Sequence, residues 1–171
     1  MLALLGVRGA GKSTVGRALA KRLRRPFVEL DARVEALAEL SLSEIFAVHG
    51  EAYYRRLEGE ALEQILDEGR PIVLATGGSL VTHPETWSLL KRAAMTVWLE
   101  ARPEDHWDRV IQQGDRRPMR DHPHAMAELQ ALLAARAPLY REARLTVDTS
   151  SRTVAEVVER ILGTVAPGGH R

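Results

Sequence analysis

The sequence predicts an α/β fold in which a parallel β-sheet is covered by helices on both faces. Short apolar segments that suit buried strands alternate five times with longer segments of helical periodicity. This alternation is typical of parallel sheets, because each strand needs a helical crossover to return to the same edge. A glycine-rich motif also stands where the first expected strand meets the first expected helix. In sheets of this class, ligands bind beyond the carboxyl ends of the strands.

That motif, GVRGAGKST at residues 6–14, matches the phosphate-binding pattern G-x-x-x-x-G-K-[ST]. Glycines let the backbone fold around a phosphate with its N–H groups pointing inward, and the helix N-terminus adds a positive dipole end. In this pattern Lys12 reaches the β- and γ-phosphates, and the Ser13 hydroxyl ligates Mg²⁺. The alternative is a chance match in a glycine-rich turn, which the preceding strand and the following helix disfavour. The expected nucleotide-binding residues are Gly9, Ala10, Gly11, Lys12, Ser13 and Thr14.

The composition is that of an ordinary globular chain and excludes several classes of function. From 171 residues, 45% of them hydrophobic and 27% charged, we expect one domain covering residues 1–171. A net charge of +1 gives no general attraction to nucleic acid or to a membrane surface. Cysteine is absent, which excludes disulfides and thiolate metal sites, and the six histidines lack metal-ligand spacing. With no apparent signal peptide or membrane span, a cytoplasmic location is expected.

The first elements follow from apolar periodicity and from helix breakers. The apolar run 2–5 is the first expected strand, and residues 13–24 form a helix whose apolar residues recur on one face. Pro26 ends this helix, and residues 27–30 form a second strand that ends at Asp31.

Helices are expected to dominate the next stretch. Residues 32–40 are helical, and Ser41 and Glu44 have the spacing of a capping box that starts the next helix. A long helix covers residues 51–68, and a Gly-Arg-Pro break separates it from a third apolar strand, residues 72–75.

A Thr-Gly-Gly-Ser turn, residues 76–79, follows the third strand. Proline opens each of the next two helices, residues 84–92 and 103–111, as is common at a first helical position. The β-branched and aromatic run 95–99 between them is the fourth strand.

Residues 112–124 break the periodicity and are expected to form a mobile loop. The loop contains three arginines, Arg116, Arg117 and Arg120. They suit a lid that brings positive charge to a transferring phosphoryl group, and they equally suit a solvated basic loop. A helix at 125–141, a strand at 145–148 and a helix at 153–162 complete the fold, and the tail 166–171 is expected to fray.

Two carboxylates close the second expected strand. Glu29 and Asp31 have i, i+2 spacing, which would point both side chains the same way. One carboxylate would then hold Mg²⁺ through water, and the other would receive the proton of a substrate hydroxyl. The alternative is that Asp31 is a helix N-cap and Glu29 is solvated.

Several further residues suit an anion-binding pocket. Arg55 and Arg56 are adjacent on a helix, so at most one of them faces inward. Gly77 and Gly78 either form a tight turn or present backbone N–H groups to an anionic substrate. Arg136 either pairs with a carboxylate bidentately or covers surface.

With these residues placed, the chain resembles the shikimate kinase family from residue 2 to about residue 163. The matching segments are the phosphate loop, 27–31, 50–51, 54–58 (YRRLE), 77–78, 117–118, 136–140 (RAPLY) and 147–149 (VDT). The resemblance implies a three-layer P-loop kinase fold with a five-stranded sheet of order 2-3-1-4-5. It also implies transfer of the ATP γ-phosphate, with Mg²⁺, to the 3-hydroxyl of shikimate, a step of aromatic amino acid biosynthesis.

The resemblance further implies roles for residues of the acceptor pocket. Asp31 matches the aspartate that meets the substrate hydroxyl. Arg55 and Arg136 match the arginines that grip the shikimate carboxylate. Gly77 and Gly78 match the backbone that lines the pocket.

The remaining roles and departures concern the nucleotide side. Arg117 matches the lid arginine near the transferring phosphate, and Arg152 falls where the family contacts adenine. The chain has Glu29 where the family usually has an aspartate, and Ser79 where it usually has a third glycine. The lid sequence at 112–119 also differs from the common kinase lids.

These departures are similar to a sister branch, the shikimate-kinase-like domain of transcriptional regulators that sense benzoyl-CoA. The similar segments are 8–13, 27–30, 42–46, 75–79, 102–106, 113–115 and 117–119. Such regulators carry a DNA-reading helix-turn-helix, which this sequence does not contain. Asp31 favours a kinase, because we expect the sensors to depart from aspartate at that position.

We therefore expect a monomeric kinase for a small hydroxy-acid, most simply shikimate, with ATP and Mg²⁺. Lys12, Asp31 and Arg117 are the expected catalytic residues, and Ser13 and Glu29 the expected metal ligands. The alternative function is a ligand-binding regulatory domain for benzoyl-CoA with weak or no kinase activity.

Overall fold

The computed structural model of the protein describes residues 1–112 and 124–165. Within these ranges, five strands form one sheet in the order β2-β3-β1-β4-β5, and all neighbouring strands are parallel. The strands are β1 (Leu2–Leu5), β2 (Phe27–Glu29), β3 (Val73–Ala75), β4 (Met95–Glu100) and β5 (Leu145–Asp148). The predicted fold class and strand order are confirmed.

Helices lie on both faces of this sheet. They are α1 (Lys12–Leu23), α2 (Leu30–Ala38), α3 (Leu42–Val48), α4 (Gly50–Asp67), α5 (Pro84–Ala93), α6 (Pro103–Gln112), α7 (Ala125–Tyr140) and α8 (Val154–Val165). A short 3₁₀ helix at Leu80–Thr82 is not among the predicted elements. The bounds of the other elements differ from the prediction by at most three residues, so periodicity located them well.

The side chains of β1 alternate between the two faces of the sheet, as the strand period of two requires. Leu2 and Leu4 belong to one buried core, which contains residues of α1 and α8. Ala3 and Leu5 belong to a second core, which contains residues of α2, α3, α4, α5 and α7. The protein therefore has three layers, with the central strand buried on both faces.

The register of the parallel strands brings three strand ends to the same level of the sheet. Leu4 of β1 pairs with Ala75 of β3, and Ala75 in turn pairs with Glu29 of β2. The phosphate loop follows β1 directly, and the Thr-Gly-Gly-Ser turn follows β3. These two segments and Glu29 therefore meet at the carboxyl edge of the sheet.

The second strand is shorter than predicted, and Asp31 does not lie at its end. β2 ends at Glu29 and α2 begins at Leu30, so Asp31 is in the first turn of a helix. The reason is the register, because Glu29 pairs with Ala75, the last residue of β3, and β3 offers no partner beyond it. The prediction that Glu29 and Asp31 lie two residues apart in one strand is therefore wrong. The alternative that Asp31 is the N-cap is also wrong, since Glu29 occupies the N-cap position of α2.

The predicted capping box is confirmed at the start of α3. The Ser41 backbone N–H donates to Glu44 Oε2 at 2.8 Å, and the Glu44 backbone N–H donates to Ser41 Oγ at 3.3 Å. Two N–H groups that the helix leaves unpaired are thereby satisfied.

Two of the expected segments, the lid and the tail, lie mostly or wholly outside the described residues. The predicted lid, apart from its end residues 112 and 124, lies outside the described residues, and so does the tail 166–171. In the part of the chain that the structure describes, no helix has the length and apolar character needed to cross a bilayer.

A glycine of α1 provides a test of how closely this helix packs on the sheet. A Cβ at Gly16 would lie 2.4 Å from Phe27 Cε2 and 3.3 Å from Leu4 Cδ1, whereas a Cβ at Gly163 of α8 would meet no atom within 4 Å. We expect Gly16→Ala to lower the free energy of unfolding by about 1–2 kcal/mol through overpacking. Gly163→Ala, the matched control, should raise it by about 0.5–1 kcal/mol through helix propensity. Denaturant unfolding of both variants measures the difference, and stabilisation by both would contradict the close packing of α1.

Candidate active site

A cavity of about 730 Å³ lies at the carboxyl edge of the sheet, between the phosphate loop, the end of β2, the turn after β3, α3 and α7. Most of the predicted site residues line it, namely Gly9, Ala10, Gly11, Lys12, Ser13, Thr14, Glu29, Asp31, Gly77, Gly78 and Arg136. The fold therefore brings the expected phosphate-binding loop and the expected acceptor residues to one cavity.

The phosphate loop depends on glycine where its φ angles are positive, as at Gly9 and Gly11. Gly9 and Gly11 have φ angles of +80° and +89°, in a region that L-residues with a Cβ rarely adopt. Gly11 is also the N-cap residue of α1, and its carbonyl accepts the Val15 N–H at 2.9 Å. The loop thus ends at a helix N-terminus, where backbone N–H groups favour an anion.

Lys12 turns back into the loop that carries it. Its Nζ donates to the carbonyl oxygens of Gly6 at 2.6 Å and Val7 at 3.0 Å. Burial lowers the pKa of Lys12 to about 8, although the Asp31 carboxylate acts in the opposite direction. The ammonium group is held by neutral carbonyls, so a bound phosphate would supply it with a charged partner.

Two oxygen-bearing side chains meet beside the loop. The Ser13 hydroxyl donates to Glu29 Oε1, and Arg17 Nη2 lies 3.6 Å from the same carboxylate oxygen. The glutamate side chain is therefore long enough to reach the hydroxyl that the motif assigns to Mg²⁺. In the described ranges no cluster of three His, Asp or Glu residues can hold a metal, so Mg²⁺ would also need phosphate and water oxygens.

Asp31 is linked to a buried glutamate by a tyrosine of α4. The Tyr54 hydroxyl lies 2.9 Å from Asp31 Oδ1 and 3.1 Å from Glu58 Oε1. Burial and the two carboxylates raise the pKa of Tyr54. Burial also raises the pKa of Glu58, although the neighbouring Arg55 opposes this. Asp31 thus reaches the cavity as part of a hydrogen-bonded cluster.

Arg55 stands behind the wall of the cavity. It donates to Glu58 Oε2 at 2.9 Å, to Glu51 Oε1 and to Ser79 Oγ at 2.7 Å, and Ser79 lines the cavity. The Arg55 side chain is 13% exposed and that of Arg56 is 63% exposed. The prediction that only one of the two arginines faces inward is therefore confirmed.

Arg136 and Tyr140 of α7 bind the same carbonyl in the turn after β3. Arg136 Nη1 and the Tyr140 hydroxyl donate to the Gly78 oxygen at 2.9 Å and 2.5 Å. Tyr140 is buried and stacks on Trp98 of β4, with ring centroids 5.5 Å apart. Burial raises the pKa of Tyr140 to about 12, so its hydroxyl keeps its hydrogen in this bond at neutral pH.

Gly78 is also where the turn after β3 touches the phosphate loop. A Cβ at this position would lie 3.3 Å from the backbone N of Arg8 and from Cα of Val7. Main-chain atoms yield less readily than the end of a side chain, so this close contact favours glycine. One turn residue therefore connects α7 with the phosphate loop.

Among the described residues, Arg152 is a second predicted site residue, besides Arg55, that does not line the cavity. It donates to the Asp148 carbonyl oxygen just after β5. Arg117 lies outside the described residues. Their expected contacts with adenine and with the transferring phosphate stay predictions.

Four residues to which the sequence pattern gave no role lie at or beside the site. They are Tyr54, Glu58, Ser79 as the Arg55 partner, and His106 of α6. The i, i+4 spacing of Tyr54 and Glu58 was an available signal, since it puts a phenol and a carboxylate on one helix face. His106 gave no signal, because a helical histidine is equally compatible with solvent.

His106 packs α6 against the phosphate loop. It is 2% exposed, and its Nδ1 atom has no hydrogen-bond partner among the described residues. Burial and the positive charge of Arg109 lower the pKa of His106 to about 4, although the Gly9 backbone acts in the opposite direction. The imidazole is therefore neutral at physiological pH.

The chain is similar to known proteins of one family. The shikimate kinase family model matches residues 8–166. A shikimate kinase of Symbiobacterium thermophilum is 40% identical over 172 aligned positions, which cover 99% of this chain and 98% of the relative. One of Nitrobacter winogradskyi is 41% identical, covering 95% of this chain and 75% of the relative.

Solved structures of shikimate kinases are also similar to this chain. The chain is similar to shikimate kinase from Acinetobacter baumannii in complex with shikimate, with a TM-score of 0.84, 32% identity and coverage of 96% and 91% of the two chains. It is also similar to shikimate kinase from Bacteroides thetaiotaomicron, with a TM-score of 0.85, 27% identity and coverage of 96% and 97%.

The buried histidine makes stability depend on pH. Its pKa is about 4 in the folded protein, against 6.5 for an ordinary histidine, so between these values the unfolded chain binds a proton that the folded chain does not. We expect His106 to lower the free energy of unfolding by up to about 3 kcal/mol as pH falls from 6.5 to 4.

Chemical unfolding of the wild type and of His106→Gln over this pH range measures the effect. The variant should lose less stability on acidification, whereas His49→Gln, which changes an exposed histidine, should follow the wild type. Identical pH dependence in all three proteins would contradict a buried neutral His106.

Proposed function

Because the chain belongs to the shikimate kinase family, we propose that it transfers the γ-phosphoryl group of ATP to the 3-hydroxyl of shikimate. As a member of this family it is a phosphotransferase that uses ATP. The observation that carries the proposal is a cavity at the carboxyl edge of the sheet that the phosphate loop shares with the expected acceptor residues. Lys12, Asp31 and Arg136 all line it, so a phosphoryl donor and a small acid acceptor would fit side by side.

The phosphate loop forms the donor half of the proposed site. Its glycine-rich backbone would bind the phosphates through N–H groups at the start of α1, and Lys12 would leave the Gly6 and Val7 carbonyls for phosphate oxygens. Ser13 and Glu29, already in contact, fit a Mg²⁺ ion and would hold it together with phosphate oxygens. The bound ion neutralises negative charge on the phosphates.

Asp31 is the residue proposed to act on the acceptor. Its carboxylate would accept the proton of the 3-hydroxyl as the hydroxyl oxygen forms its bond to the γ-phosphorus. The bond from that phosphorus to the bridging oxygen breaks, and ADP leaves with the electron pair. Lys12 lies close enough to Asp31 for the two charges to influence each other, so donor and acceptor groups share one electrostatic environment.

Two arginines are proposed to bind the carboxylate of shikimate. Arg136 uses one N–H for the Gly78 carbonyl, and a guanidinium has five such donors, so others remain for a carboxylate. Arg55 lies behind Ser79 and donates a hydrogen bond to its hydroxyl. From there it would attract the carboxylate by its positive charge. Gly77 and Gly78 supply the backbone between the arginines.

Two further assignments depend on the family resemblance alone. Arg117 is proposed to approach the transferring phosphoryl group from the lid, and Arg152 to contact adenine. The relatives reported above are shikimate kinases, and they give no support to a benzoyl-CoA sensor.

The proposed acceptor is tested by incubating the protein with ATP, Mg²⁺ and shikimate. Phosphorus NMR should show ADP and a phosphate monoester on the 3-hydroxyl of shikimate, formed at roughly 1–100 s⁻¹. Quinate, which differs from shikimate in its ring, is a suitable competing acceptor. Phosphorylation of quinate in preference to shikimate would contradict the proposal.

Replacing Asp31 tests the step itself. We expect Asp31→Asn to lower kcat by about 10²–10⁴-fold, because an amide cannot take the hydroxyl proton. ATP affinity should change by less than about twofold, since the phosphates are bound by the loop. An ADP-release assay and calorimetric titration with a non-hydrolysable ATP analogue measure the two quantities. Asp67→Asn, at an exposed position of α4, is the control, and equal turnover of the two variants would contradict the role of Asp31.

A further inference from the structure

The hydroxyl of Tyr54 lies between two carboxylates on the acceptor side of the cavity. The phenol oxygen is 2.9 Å from Asp31 Oδ1 and 3.1 Å from Glu58 Oε1. Tyr54 is 3% exposed and Glu58 is fully buried, so solvent does not replace these contacts. Tyr54 also lines the cavity itself.

The phenol separates two groups that would otherwise repel each other. Two carboxylates near the same oxygen disfavour ionisation of both, and a hydrogen bond from the phenol offsets part of that repulsion. The backbone closes the space around them, because a Cβ at Gly77 would lie 2.9 Å from the phenol oxygen and 3.2 Å from Asp31 Oδ1. The three polar groups therefore have little room to rearrange.

The tyrosine ring is itself held firmly. Its centroid is 4.8 Å from that of Phe46, and the guanidinium carbon of Arg55 lies 5.2 Å from it. Arg55 also holds Glu58 through a 2.9 Å ion pair. The phenol thus projects from a packed part of α4, whereas Asp31 is on a different element, the first turn of α2.

We propose that Tyr54 is a positioning residue for the phosphoryl-transfer step, which rests on the function proposed above. Its hydroxyl engages Oδ1 of Asp31 and so fixes the carboxylate, leaving Oδ2 for the hydroxyl of the acceptor. Without the phenol, the Asp31 carboxylate can rotate, and repulsion by the Glu58 carboxylate pushes it away from its position. Turnover then falls, while nucleotide binding, which depends on the phosphate loop, does not change.

The first test is Tyr54→Phe, which keeps the ring and removes only the hydroxyl. We expect kcat with shikimate to fall at least about tenfold, as for a lost hydrogen bond to a charged group. The KM values for ATP and shikimate should stay within about twofold. Tyr53→Phe is the matched control, because Tyr53 stacks on His49 and Arg56 rather than on the carboxylates. A kcat for Tyr54→Phe equal to that of the control would overturn the proposal.

A double-mutant cycle with Asp31→Ala asks whether Tyr54 acts through Asp31. If it does, Tyr54→Phe should lower the residual kcat of the Asp31→Ala protein by less than about twofold. A full tenfold loss in that background would overturn the proposal, because the phenol would then act independently of the carboxylate.

The same four proteins give a readout that needs no substrate. In thermal unfolding, the midpoint shift of the double variant should differ from the sum of the two single shifts, because the residues are in contact. Additive shifts would overturn the proposed contact. If the wild type forms no shikimate phosphate while the midpoint shifts are coupled, the proposed function fails and the Tyr54–Asp31 contact stands.

Discussion

The register of β2, β3 and β1 is the constraint on which the proposed site depends. It sets Glu29, Ala75 and Leu4 side by side at the carboxyl edge of the sheet. The positions of the phosphate loop, of the carboxylate proposed to bind Mg²⁺ and of the turn proposed to line the acceptor then follow from where each strand ends. A shift of one residue along β1 would turn its side chains to the opposite core and break both packed layers. Burial of the central strand thus holds the site geometry in place.

Buried polar groups then refine what the register places. Gly78 receives hydrogen bonds from Arg136 and Tyr140 and lies against the phosphate loop, so the acceptor wall and the donor wall share one backbone segment. Tyr54 and Glu58, which are both buried, join the half-buried Asp31 in a hydrogen-bonded cluster beside the same cavity. Such clusters are costly unless their partners are satisfied, and for that reason they favour one arrangement of the site.

The fold and the donor half of the site were largely predictable because they follow from local rules. Apolar periodicity located the strands, and the phosphate-loop pattern placed Lys12 and Ser13. The end of β2 was not predictable, because it depends on β3 stopping at Ala75, a fact of pairing rather than of local sequence. The partnership of Tyr54 with Asp31 likewise joins residues of two helices that only the tertiary structure brings together.

The central claim is that one cavity holds both the phosphoryl donor and the acid acceptor. A crystal structure of the protein with ADP, Mg²⁺ and shikimate tests it most directly. We expect ADP in the phosphate loop and the shikimate 3-hydroxyl about 3 Å from an Asp31 oxygen, with the shikimate carboxylate against Arg136. Shikimate bound away from Asp31, or absent from this cavity at saturating concentration, would contradict a shared site for donor and acceptor.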